Sequence, residues 1–148
     1  MAKYDELPVF KATYDLLLRI YMVSQHWSRD IRYTLGEELK KEVIEILQLI
    51  YQANASKKKV IEILQLIYQA NASKKKVAFL SSCRVKLIKV RLQIRVAKDL
   101  KQLHLNQYGL LAEMQENISK QLSGWEKSER RKEKESKKED NNNSNNKQ

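Results

Sequence analysis

Residues 43–59 read VIEILQLIYQANASKKK, and residues 60–76 read VIEILQLIYQANASKKK again, identical at every position and with no spacer. How this doubled stretch is counted decides the fold. Counted once, it leaves a chain of four helices of roughly 20 to 27 residues each. A continuous helix through both copies would not bury one face. Eighteen residues make five turns at ~3.6 residues per turn, and the repeat is seventeen residues long. The second apolar stripe would therefore sit about 100° away from the first, on a helix about 25 Å longer. Structural repeats come as three or more units whose end units diverge into caps. Two undiverged copies read instead as a recent in-frame duplication, an engineered insertion or an assembly duplicate. The alternative is a repeat that reshapes a surface. The chain is expected to turn at the end of the second copy, from Asn71, which lengthens helix two. A copy that loops out or extends helix three is the other option.

The remaining helices are written on either side. Pro8 suits a first turn, where its missing N–H loses nothing. Phe10, Tyr14, Leu17 and Tyr21 recur at 4, 3 and 4, beside Leu16, Ile20, Val23 and Trp27. That apolar face predicts a helix to about Trp27. Residues 28–33 read as a connection. Thr34 and Glu37 have the spacing of a capping box opening helix two, which carries Leu35, Leu39, Val43, Leu47 and Ile50 on one side. Residues 77–103, VAFLSSCRVKLIKVRLQIRVAKDLKQL, predict helix three, with Leu80, Cys83, Leu87, Val90, Ile94 and Ala97 inward. After a turn at His104, with Asn106 as N-cap, helix four carries Tyr108, Leu111, Ile118, Leu122 and Trp125. The expected fold is all-α, an antiparallel up-down four-helix bundle over residues 1–126. Residues 127–148 are Lys/Glu- and then Asn-rich. With no apolar residue to offset ordering entropy, they are expected to be a disordered tail, the part least involved in any site.

Composition narrows the function. Three Gly and one Pro in 148 residues leave few tight turns, against a sheet fold. The single Cys83 cannot form an internal disulfide, no apolar run reaches the ~18 residues of a membrane span, and residues 1–10 do not read as a signal peptide. The expectation is a cytoplasmic protein with no membrane contact. Net charge is +11, from 29 Lys and Arg against 18 Asp and Glu. Residues 127–148 hold eight bases and five acids, which leaves +8 on the body. Such a surplus points to a polyanion, most often nucleic acid.

Helix three concentrates that surplus. Residues 84–101 carry seven bases and one acid, Asp99. Arg84, Arg91, Arg95 and Lys98, at spacings of 7, 4 and 3, share one helical face. Like charges at these spacings repel, and an anionic partner relieves the repulsion. Arginine adds bidentate phosphate geometry. Lys74, Lys75 and Lys76 lead into the helix, and Lys86 and Lys89 thicken its flank. A solvated basic face is the bland alternative. The pattern names a polyphosphate and contains no base-reading motif.

Catalytic chemistry has little to stand on. Arg19 and His26 fit the R-x(4–6)-H spacing of all-helical HEPN ribonucleases and share a helix face. The pattern lacks the usual polar residue after the Arg, and His26 reads more simply as a helix-end residue. One Cys and two scattered His build no metal cluster, and three separated Gly build no phosphate loop. No cofactor is expected and the protein is read as a non-enzyme.

Several short stretches occur in a recognisable order. Arg32-Tyr33-Thr34-Leu35-Gly36 follows an LPVF…YDLLLRI helix; Arg95-Val96-Ala97-Lys98-Asp99-Leu100, Asn106-Gln107-Tyr108 and Gly124-Trp125-Glu126-Lys127-Ser128 come after it. With one repeat copy skipped, residues 7–128 resemble the accessory variability determinant family of diversity-generating retroelements. That four-helix-bundle group is related to the bundle proteins encoded in ribosomal RNA intervening sequences, whose obscure role is the alternative function. The resemblance implies a homopentameric barrel with a basic surface. It implies binding to the element's reverse transcriptase and to template RNA or DNA, in mutagenic retrohoming, without catalysis. Carried over by position, Arg84, Arg91 and Arg95 are the implied RNA and polymerase contact, with Lys98 next. The duplication and the Asn-rich tail depart from the pattern.

Overall fold

The computed structural model describes residues 6–55 and 65–145, with side chains placed over 6–55 and 74–138. Among the described residues every regular element is helical. α1 spans Pro8–Ser24. A single turn, α2, spans Arg29–Ile31 and runs into a π-helical turn, Arg32–Gly36. α3 spans Glu37–Ala55, α4 Gln65–Asp99 and α5 Leu105–Asn145. The four long helices pack around one core: α1 lies on α3 and α5, and α4 also lies on α3 and α5.

The core is built from inward stripes at helical spacing. Leu16 and Ile20 come from α1, and Leu39, Val43, Ile46 and Ile50 from α3. Leu80, Val90 and Ile94 come from α4, and Leu111, Ile118 and Leu122 from α5, all fully buried. Each such side chain contributes about 1.5–3 kcal/mol of apolar burial. Leu80, Cys83, Leu87, Val90, Ile94 and Ala97 are all buried, as their spacing predicts. On α1 the expected stripe is displaced. Tyr14 and Tyr21 are exposed, and Val9, Leu16, Ile20 and Val23 take the core line. The two lines are neighbours on one broad apolar face. The aliphatic line goes inside because it carries no phenolic hydroxyl to satisfy. α1 ends at Ser24, short of Trp27, which still packs into the core at 3% exposure.

The capping box expected at Thr34 does not form. The Thr34 hydroxyl donates to the Asp30 carbonyl at 2.7 Å, and the Glu37 carboxylate accepts from Lys40 at 2.8 Å. The chain is already helical from Arg29, so Thr34 meets no open set of N–H groups. At the far end, α4 stops at Asp99 rather than Leu103. The Gln102 N–H donates to Ala97 O and the Lys101 N–H to Lys98 O, both at 2.9 Å, and Lys101 sits at φ 59°. This is a Schellman stop with Lys where glycine is usual. His104, not Asn106, caps α5, and its N–H donates to the Gln107 side chain at 3.0 Å. The Gln102 side chain accepts the Ser28 N–H at 2.7 Å, tying the two connections at this end together.

Two expectations about the long helices change. The second repeat copy does not end in a turn. From Gln65 it runs helically through residues 71–76 into α4. Asn-Ala-Ser-Lys-Lys-Lys holds no Gly or Pro, and its Ala and Lys favour a helix. The matching 56–59 of the first copy lie outside the described residues, as do 1–5 of the leader reading. α5 also continues beyond Glu126 to Asn145, where a disordered tail was expected; the tail's residues 146–148 lie outside the described residues. Its charges pair along the helix: Arg130 with Glu126 at 2.8 Å, Lys132 with Glu129 at 3.3 Å and Lys137 with Glu133 at 3.2 Å. Such pairs each add a few tenths of a kcal/mol. The Lys76–Glu129 ion pair, 3.8 Å apart with both side chains buried, joins α5 to the repeat-derived part of α4.

Candidate nucleic-acid interface

The nine cations expected at the site divide into three groups. Arg84, Arg91 and Arg95 are exposed on one face of α4. Arg84 bonds Glu126 at 2.9 Å, Arg95 lies 3.9 Å from Asp99, and Arg91 forms no ion pair with another described residue. Lys98 extends the face and holds its ammonium 4.8 Å from the centre of the Tyr108 ring. Arg84 and Arg91 border a shallow notch between α4 and α5 that Gln115, Glu116 and Ser119 also line.

Lys86 and Lys89 lie on the opposite flank, facing α3. Lys89 donates to Glu42 at 2.6 Å, and Lys86 donates to Glu42 at 3.4 Å and to Glu45. Their positive charge is already matched inside the protein. Lys76 is likewise buried against Glu129, whereas Lys74 and Lys75 are exposed. The structure thus brings together Arg84, Arg91, Arg95 and Lys98 and sets the other five apart from them.

The electrostatics follow these partners. Burial alone would raise the Glu42 carboxyl, but the Lys89 hydrogen bond and the charges of Lys86 and Lys89 outweigh it and hold it below the ordinary value. Glu126 behaves alike: burial acts upward, and hydrogen bonds from Arg84 and Arg130 carry it lower. Lys86 is raised chiefly by its bond to Glu45, and Lys89 by its bond to Glu42. Glu126 receives two guanidiniums on one carboxylate, so that corner keeps an excess positive charge.

One feature of this surface escapes a reading by charge. Val85, Ile88, Leu92 and Val96 are exposed at 65%, 61%, 59% and 45% and recur at spacings of 3, 4 and 4. They point away from the core, with the arginines on one side and Lys86 and Lys89 on the other. α1 carries a second exposed apolar group, Tyr14, Leu18, Tyr21 and Met22. The α4 stripe was present in the sequence as spacing. It was hidden because a stronger apolar stripe of the same period runs along the inner face.

Arg19 and His26 are both exposed, and among the described residues no hydrogen bond joins their side chains. His26 lies in the turn after α1, its N–H donating to Val23 O at 3.2 Å. Among the described residues no helix is long and apolar enough to cross a membrane. No protein-family model matches the chain, and no curated protein matches it.

Proposed function

We propose that the chain is a non-catalytic nucleic-acid-binding accessory protein, one that holds template RNA for the reverse transcriptase of a diversity-generating retroelement during mutagenic retrohoming. The observation that carries this reading is the outer face of α4, where Arg84, Arg91 and Arg95 border the exposed Val85–Ile88–Leu92–Val96 stripe. Guanidiniums supply phosphate contacts. An apolar strip beside them supplies the desolvated centre that a protein–protein contact needs. One helix face therefore offers both kinds of contact that such an accessory requires.

The topology that fits is the antiparallel up-down bundle. α4 residues 83, 86, 89 and 93 bond α3 residues 46, 42, 42 and 38, so the partner numbers fall as α4 advances. The protein acts as a homo-oligomer, a pentamer by resemblance. In support, α1 and α4 each pack on α3 and α5, which sets their exposed apolar faces on different sides of the protomer. Unlike patches on one protomer make heterologous contacts, which generate a ring where the rotation between protomers closes. The test is to co-express the chain with the reverse transcriptase encoded beside it and that element's template RNA. The expected result is one complex containing intact RNA. Recovery of neither the polymerase nor the RNA, or RNA cleavage lost on His26→Ala, would overturn the reading.

A further inference from the structure

α5 carries a second cation stripe that none of the charge pairs above consumes. Lys120, Lys127, Arg131, Lys134 and Lys138 follow at spacings of 7, 4, 3 and 4, which places them on one face of the helix. All five are exposed. The internal ion pairs of this segment use Arg130, Lys132 and Lys137 instead. Of the acids on the same helix, Glu126 and Glu129 are turned inward to Arg84 and Lys76. Glu135 flanks the stripe, and Glu116 lies in the notch one turn before it. From Lys120 to Lys138 the stripe is about 27 Å long at ~1.5 Å per residue.

We infer that this face of α5 is a second nucleic-acid contact, one that grips a phosphate backbone, largely along the part of the chain that composition assigns to a tail. Neighbouring cations three and four residues apart repel on a bare helix, and a line of phosphates relieves every such pair at once. A membrane surface is the poorer partner. An interfacial helix needs an apolar face, and residues 126–138 contain no apolar side chain. The helix is held in place by the buried Lys76–Glu129 pair, so the stripe is presented on a supported rod. The inference shares with the proposed function only the class of ligand. It needs neither the polymerase nor the α4 arginines.

The test uses the full chain and a 20-nucleotide single-stranded RNA, with anisotropy titrations at several salt concentrations. Two variants are compared: K127Q/R131Q/K134Q/K138Q on α5 and R84Q/R91Q/R95Q on α4. Glutamine keeps helix propensity, and far-UV circular dichroism checks it. Loss of four phosphate contacts should make the slope of log affinity against log salt shallower by about 3. The charge-preserving K127R/K134R/K138R variant should keep the parent slope. An unchanged slope in the α5 glutamine variant overturns the inference, as does stronger binding of a polyglutamate peptide than of the RNA. A normal α5 effect with an inert α4 variant would instead count against the proposed function alone.

Discussion

Glu42 and Glu126 each answer two cations, and that arrangement links stability to pH. Both carboxyls are held below their ordinary value of 4.5 in the folded chain. Their contribution is therefore complete above that value and is lost as pH falls through the lower folded value. Lys86 and Lys89 have the opposite sign. Their contribution is complete below 10.5 and fades as pH rises beyond it. Urea unfolding across pH 2 to 5 should show stability falling with acid, and Glu42→Gln should flatten that fall. An unflattened curve would show that the α3–α4 ion pairs do not matter. Cys83 adds a second check. Burial pushes its thiol up to about 12, so a thiol reagent at neutral pH should label it only after unfolding. Lys101 is a third. A side chain in the left-handed region costs on the order of 1 kcal/mol, so Lys101→Gly should raise Tm by a few degrees.

At the scale of elements, spacing made the helices legible and left their ends unread. The inward stripe of α4 could be read residue by residue, because 3.6-residue periodicity reports burial directly. Helix ends depend on partners distant in sequence. Gln102 meets Ser28 across the connection, and Lys76 meets Glu129 across two helices. Neither contact has a local signal. The same limit applies to residues 127–138: their composition shows charge, and only the fold shows Lys76 of α4 buried against Glu129. Removing one member of a buried pair typically costs 3–5 kcal/mol, because the other charge stays behind unmatched. Glu129→Ala should therefore lower stability by about that amount, and K76M/E129L should restore much of it, as read by thermal unfolding. Deletion of residues 60–76 leaves the described apolar core of α3, and of α4 from Val77 onward, intact. In the deleted chain Lys59 directly precedes Val77, as Lys76 does in the parent, so the remaining residues should keep their helicity and the chain should melt no lower than the parent. A chain that fails to fold would show that the second copy is integral to the design.

For the whole molecule, charge alone pointed to a polyanion, and the fold sorted that charge into cations paired with internal carboxylates and cations exposed on α4. Of the expected site, Arg84, Arg91, Arg95 and Lys98 were readable because they share a face. Lys76, Lys86 and Lys89 could not be told apart from them without knowing where Glu42, Glu45 and Glu129 lie. The proposed assembly uses the exposed apolar faces of α1 and α4. Light scattering should find a closed oligomer, and Leu92→Glu should reduce it to smaller species with unchanged circular dichroism. The most direct measurement is RNA affinity as a function of salt for the parent chain and for R84E/R91E/R95E. The parent should bind with an affinity that falls steeply as salt rises, and the reversed variant should lose most of that binding while remaining helical. Equal affinity in the two proteins would contradict the assignment of α4 as the nucleic-acid face.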